Sequence, residues 1–141
     1  MAARFPLIVD GSGTPAIKEI VSGDVLDLTG LQVKLGTEAT LTDGATVAWD
    51  VSASPIAKLT LGGNRTLSAP TNAVGSGQYI SLLVIQDSTG SRTLTWNAAY
   101  EFTADTAPTL TTTASKGDLF TFRYNGSKWL EVGRNLNLTL S

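Results

Sequence analysis

The sequence predicts an all-β protein, built as a single β-sandwich (jelly-roll-like) domain with an extended N-terminal arm. Turn signals rich in Gly, Asp, Asn and Ser recur about every 8–12 residues, a rhythm typical of sandwiches and barrels. The runs between these turns alternate apolar and polar residues, as half-buried strands do. Charged residues make up only 16% of the chain, and strong helix formers are sparse, so the composition also favours strands.

We divide the chain into three segments. Residues 1–36 contain short apolar pieces separated by Gly, Ser and Pro, which indicates an extended arm or an edge segment. Residues 37–133 carry the regular turn rhythm and are assigned to the sandwich domain. Residues 134–141 are unusually apolar for a terminus. We therefore expect this tail to pack against its own chain or against a partner.

The strand pattern is clearest in the second half of the chain. Residues 78–86 are almost continuously apolar, which predicts a central strand covered on both faces. Residues 118–124 and 127–132 flank Asn125-Gly126, the strongest short signal for a β-hairpin. The alternating positions of these and the preceding strands predict the buried core: Val47, Trp49, Leu59, Leu61, Ile80, Leu82, Val84, Leu94, Trp96, Phe120, Phe122 and Trp129.

The composition argues against an enzyme. The chain has no histidine and no cysteine, so it lacks the commonest general base, the commonest metal ligand and every thiol nucleophile. We predict no catalytic residue, no metal site and no cofactor. A net charge of −2 predicts no nucleic-acid partner, since such binding needs a basic patch. No apolar run is long enough for a membrane helix, so we predict no membrane contact.

Two sets of polar and aromatic residues could still carry function. Asp24, Asp43, Asp87 and Asp118 stand beside Gly or Ser, where an aspartate accepts hydrogen bonds from turn N–H groups. We interpret them as turn caps rather than as an acid/base pair. Most aromatic rings are expected in the core, whereas Tyr100 follows Ala98-Ala99 in a predicted loop. Tyr100 is therefore the predicted exposed aromatic ring, able to contact a sugar.

The N-terminal segment is predicted to bind a partner, either a neighbouring subunit or the surface of the assembly that the protein joins. Its apolar residues precede a Gly-rich turn and lie outside the strand rhythm, and an uncovered segment of this kind would promote aggregation. An added strand that supplies backbone hydrogen bonds would cover it. The alternative is an edge strand of its own domain. The predicted contact residues are Arg4, Phe5, Pro6, Leu7, Ile8 and Val9.

Residues 57–133 resemble a domain that recurs in structural proteins of tailed bacteriophages. The resemblance rests on three pieces and one ring: residues 59–67, residues 86–96, residues 118–126 and Trp129. The opening is similar to the N-terminal segment of phage fibre and appendage proteins, through residues 4–9, residues 17–20 and Gly23-Asp24. The resemblance implies a component of the virion, in families that commonly form homotrimers.

Length then favours one place in the particle. A tail fibre normally carries a long shaft and a tip, for which this chain has no room, so we expect a head decoration (cement) protein. Such a protein would bind the major capsid protein on the outer capsid surface and stabilise the shell. Two alternatives stay open. One is a tail-fibre or tail appendage component that contacts host glycans, and the other is a carbohydrate-binding β-sandwich module.

Overall fold

The computed structural model of the chain describes residues 7–9, 15–17 and 36–141. The regular structure in this part is β-strand, apart from a single turn of 3-10 helix at Thr103–Asp105. The predicted all-β class is therefore confirmed. The chain separates into two compact units, Met1–Val33 and Lys34–Ser141. Within the described ranges, no helix is both long and apolar enough to cross a membrane.

The first unit contains two short strands, β1 (Leu7–Val9) and β2 (Pro15–Ile17). They pair in an antiparallel ladder, with Ile8 opposite Ala16. The described backbone here is thus a small two-stranded ladder, and the assignment of residues 1–36 to an arm or edge segment stays a prediction. The other predicted contact residues, Arg4, Phe5 and Pro6, lie outside the described residues. The attachment role of this segment stays a prediction.

The second unit contains nine strands in two sheets. The strands are β3 (Ala39–Thr40), β4 (Thr46–Val47), β5 (Ile56–Leu61), β6 (Arg65–Leu67), β7 (Tyr79–Gln86), β8 (Leu94–Trp96), β9 (Tyr100–Glu101), β10 (Lys116–Tyr124) and β11 (Trp129–Thr139). One sheet has six strands in the order β3-β5-β7-β10-β11-β9, and the other has three in the order β4-β6-β8. Residues 134–139, assigned to a separate tail from sequence, continue strand β11.

The arrangement of these strands is solenoid-like rather than a jelly roll. From β3 to β8, successive strands alternate between the two sheets, and strands of the same sheet pair in parallel. Leu59 of β5 lies beside Val84 of β7 in one sheet, and Leu67 of β6 lies beside Trp96 of β8 in the other. The chain therefore winds in stacked coils, each of which contributes one strand to each sheet.

A hairpin continues the larger sheet. β10 pairs antiparallel with β7 on one side and with β11 on the other, and Tyr124 faces Trp129 across the turn. The Asn125 side-chain oxygen accepts hydrogen bonds from the N–H groups of Ser127 and Lys128, at 2.9 and 2.7 Å. The hairpin predicted from Asn125-Gly126 is thus confirmed, and its turn is held by its own asparagine.

The core lies between the two sheets. Every predicted core residue is buried except Trp96, which is half-buried. Phe120 of β10 stands opposite Leu82 of β7, which stands beside Ala57 of β5. Strand β7 was expected to be covered on both faces, but its burial alternates: Leu82 and Val84 are buried, whereas Leu83 is half-buried. One face of the larger sheet is therefore less covered than the sequence suggested.

Carboxylates anchor several loops. Asp87 accepts hydrogen bonds from the Arg92 guanidinium and from the N–H groups of Gly90 and Thr89. These bonds together lower the pKa of Asp87. The buried Asp118 accepts from the N–H groups of Thr111 and Asn137, at 2.7 and 2.9 Å. Asp87 therefore caps its own turn, as predicted. Asp118 instead lies within β10 and holds Thr111 and Asn137, which are distant in sequence, so the prediction of a turn cap at this position is wrong.

A second aspartate, Asp43, joins two loops through an ion pair with an arginine. The Arg65 guanidinium donates to both oxygens of Asp43, at 2.7 and 2.6 Å, and these bonds lower the pKa of Asp43. A bidentate pair of this kind fixes the approach of the two loops that carry it. The remaining aspartate of the predicted set, Asp24, lies outside the described residues.

Candidate functional site

A cleft of about 300 Å³ opens where β8, β9, the 3-10 turn and the β10–β11 hairpin meet. Its wall combines aromatic rings with charged and amide side chains, a mixture typical of ligand sites. The lining residues are Trp96, Asn97, Ala98, Tyr100, Glu101, Phe102, Asp105, Ala107 and Lys128. All of them except Lys128 come from residues 96–107, where the chain passes from the smaller sheet to the larger one.

A tight turn shapes this stretch. The Asn97 N–H donates to the Leu67 carbonyl at the end of β6, and the Asn97 side-chain oxygen accepts from the Ala99 N–H at 2.9 Å. The Trp129 N–H then donates to the Ala99 carbonyl at 2.8 Å. The turn is thus fixed to both sheets, and its small alanine side chains leave space in front of the neighbouring rings.

An aromatic cluster forms one wall of the cleft. The Trp96 ring meets Tyr100 and Phe102 edge to face, with centroids 5.3 and 5.2 Å apart. It also contacts Phe120 of the core at 5.0 Å. Edge-to-face geometry is the favourable arrangement for such pairs. The other rings hold Trp96 in place, and the half-buried ring lines the cleft with the part that they leave uncovered.

Tyr100 does not have the predicted exposure. Tyr100 is only 4% exposed, so the prediction of an exposed ring at this position is wrong. The residue starts β9, which pairs with β11, and its ring packs against Phe122 with centroids 5.1 Å apart. Burial raises the pKa of the Tyr100 hydroxyl. This hydroxyl has no hydrogen-bond partner among the described residues, and an unpaired buried polar group of this kind is costly.

The two rings depart from the predictions to different extents: Tyr100 is buried instead of exposed, whereas Trp96 packs against the core but stays half-buried. Trp96 was placed in the core because it alternates with Leu94, and Leu94 is indeed buried. However, Trp96 is the last residue of its strand, and a turn of small residues follows it. That combination, a large ring at a strand end before Asn97-Ala98-Ala99, was the available signal for the half-exposed ring.

Charged side chains form the rim of the cleft. Lys128 lies 3.4 Å from a carboxylate oxygen of Glu101 and donates to the Ala98 carbonyl. On the other side, Asp105 is exposed at the end of the 3-10 turn. Ala104 and Asp105 both adopt left-handed backbone conformations, with φ of 55° and 52°. Such conformations in residues other than glycine store strain, which is found most often near functional sites.

The described residues also bear on the other predictions of a site. Across residues 36–141 and the two short strands, no group of three or more His, Cys, Asp or Glu side chains is placed to hold a metal ion. Strand β11 exposes Val132 and Leu136, and Leu140, which follows the strand, is exposed as well. The predicted homotrimer and the predicted contact with the major capsid protein stay predictions.

Comparison with known protein families gives a match over most of the chain. Residues 37–129 match the model of a family described as "Putative phage tail fibre C-terminal domain". The matched segment contains every residue that lines the cleft. No curated protein and no solved structure matches the chain.

Proposed function

We propose that this chain, which belongs to the putative phage tail fibre C-terminal domain family, is a tail-fibre or tail appendage component that contacts glycans on the host surface. Its family also makes it a structural protein of a tailed-phage virion. The observation that carries this proposal is the aromatic cleft, which lies wholly inside the family segment. The head decoration role that the sequence analysis favoured has no support in the family match, which names the tail.

The chemistry of the cleft suits a sugar. A pyranose ring has apolar C–H faces and polar hydroxyl edges, so it needs one flat apolar surface and several hydrogen-bonding groups beside it. Trp96 supplies the flat surface. Glu101 and Asp105 can accept hydrogen bonds from hydroxyls, and Lys128 can donate one.

A single shallow cleft binds a sugar weakly, and this is no obstacle for an appendage. Several copies on one particle engage several glycans on one cell, and the effective concentration of the second site then multiplies the affinity of the first. Weak individual contacts also let the particle move over the surface before it attaches. The cleft therefore fits a role in adsorption better than a role as a free lectin.

Replacing Trp96 with leucine tests this proposal. Leucine keeps apolar volume against Phe120 but removes the flat ring, so the affinity for host surface glycan should fall about tenfold or more, or ~1.4 kcal/mol. Binding is measured with the purified chain on host cells and on their extracted polysaccharide. Tyr79 is also an aromatic residue, is 52% exposed and lies outside the cleft, so Tyr79→Leu serves as the matched control. Equal binding by both variants and the parent chain would exclude the cleft as the contact.

A further inference from the structure

We propose that the cleft selects neutral or amine-bearing sugars and rejects sugars that carry carboxylate, sulfate or phosphate groups. This inference rests on the proposed function, because it specifies which glycans that same site accepts. It follows from the balance of charge around the cleft, from the way each charged group is held, and from the place of the aromatic wall among them.

The side chains that line the cleft carry more negative than positive charge. Glu101 and Asp105 contribute two carboxylates, and Lys128 contributes one ammonium group. The ammonium group lies 3.4 Å from Glu101 and also donates to the Ala98 carbonyl, so its charge is already shared between two acceptors. Asp105 forms no salt bridge with any residue that the structure describes. Its negative charge therefore remains uncompensated at the rim.

One further cation lies close to the aromatic wall. The guanidinium carbon of Arg134, on β11, is 5.9 Å from the centre of the Phe102 ring. However, this guanidinium also lies 2.6 Å from a carboxylate oxygen of Glu131, whose side chain is only 5% exposed. The two charges cancel as a local pair. Arg134 therefore does not supply the free positive charge that recognition of an anionic sugar needs.

The size of the effect follows from Coulomb's law. A carboxylate on a sugar about 4 Å from Asp105, in a largely aqueous environment, is repelled enough to weaken binding roughly fivefold. An ammonium group on an amino sugar at the same place gains by a similar factor. The affinity for neutral sugars does not depend on this charge. Because the cleft is open, salt should reduce both effects by screening.

The test compares bacterial surface polysaccharides immobilised in three groups: neutral, amine-bearing and acidic. The full chain should bind members of the first two groups and discriminate against the third. Asp105→Asn should reduce that discrimination roughly fivefold, and asparagine tolerates the left-handed backbone at this position. Glu101→Gln should act in the same direction. Glu38→Gln removes the same charge from an exposed carboxylate far along the sequence that does not line the cleft, so it should leave the preference unchanged.

The outcomes separate the two proposals. Equal or stronger binding of acidic polysaccharides would overturn the selectivity while the glycan-contacting role survived. An unchanged preference in Asp105→Asn and Glu101→Gln at low salt would also overturn it, since the rejection would then arise from shape. Absence of binding to all three groups would overturn the proposed function itself, and this inference with it.

Discussion

Replacing Leu82 with alanine is expected to lower the free energy of unfolding by about 2–5 kcal/mol. Leu82 is fully buried in the middle of β7. It lies beside Ala57 of β5 and opposite Phe120 of β10, so it contacts both the parallel and the antiparallel part of the larger sheet. Truncation removes apolar contact and leaves a cavity that these neighbours cannot fill without moving. Urea unfolding of the purified chain measures the loss.

The next residue is the matched control. Leu83 belongs to the same strand but points to the opposite, half-covered face, and it is only half-buried. Leu83→Ala makes the same chemical change and should cost roughly 1 kcal/mol, because less apolar area leaves water at this position. Equal losses at the two positions would contradict the assignment of the core to the space between the sheets.

Replacing Gly90 with alanine is expected to cost about 2–4 kcal/mol, for two separable reasons. The residue has a φ of +75°, which side chains other than glycine rarely adopt. An added Cβ would also lie 2.5 Å from the Thr112 carbonyl oxygen and 2.8 Å from the Ala114 nitrogen. Both are backbone atoms, so neither can move aside cheaply. Gly90 is held there by its own N–H bond to Asp87, which anchors the turn between β7 and β8.

Gly77 tests the effect of a positive φ alone. Its φ is +94°, yet a Cβ there would meet no heavy atom of the described chain within 4 Å. Gly77→Ala should therefore cost only the backbone term, about 1–2 kcal/mol. Thermal and urea unfolding of both variants give the comparison. A loss at Gly90 no larger than that at Gly77 would show that the turn does not pack against residues 112–114 as described.

Local features of the fold could be predicted from sequence. The hairpin at Asn125-Gly126 was recognised because its turn chemistry acts over a few residues. The core positions were recognised because alternation identifies the buried face of each strand whatever the strand pairs with. Leu59 and Leu82 are buried for that reason, and neither prediction depended on the topology.

The topology could not be predicted in the same way. The turn at Gly62-Gly63 marks a change of direction between β5 and β6, but these strands belong to different sheets. Alternation does not state which strand lies beside another, since parallel and antiparallel partners can cover the same apolar face. The choice between a jelly roll and a solenoid depends on pairings between residues distant in sequence, such as Leu59 with Val84.

The candidate site, like the fold, depends partly on local sequence and partly on contacts between residues distant in sequence. Tyr100 was recognised as a candidate from the sequence, whereas the charged residues Glu101 and Asp105 were not. The burial of Tyr100 depends on the pairing of β9 with β11, which are distant in sequence. That pairing buries Tyr100 and leaves Trp96 half-buried at the end of its strand. The rim charge of Lys128 comes from the hairpin, far along the sequence, so the cleft itself could not be assembled from sequence alone.

We propose that this protein is part of the tail and contacts the host there. Electron microscopy of intact particles, labelled with gold-conjugated antibodies raised against the whole chain, tests it most directly. We predict that gold lies on the tail fibres or appendages and that excess purified chain removes the label. Gold distributed over the head, on particles whose tails stay unlabelled, would contradict a position in the tail and restore the head decoration role.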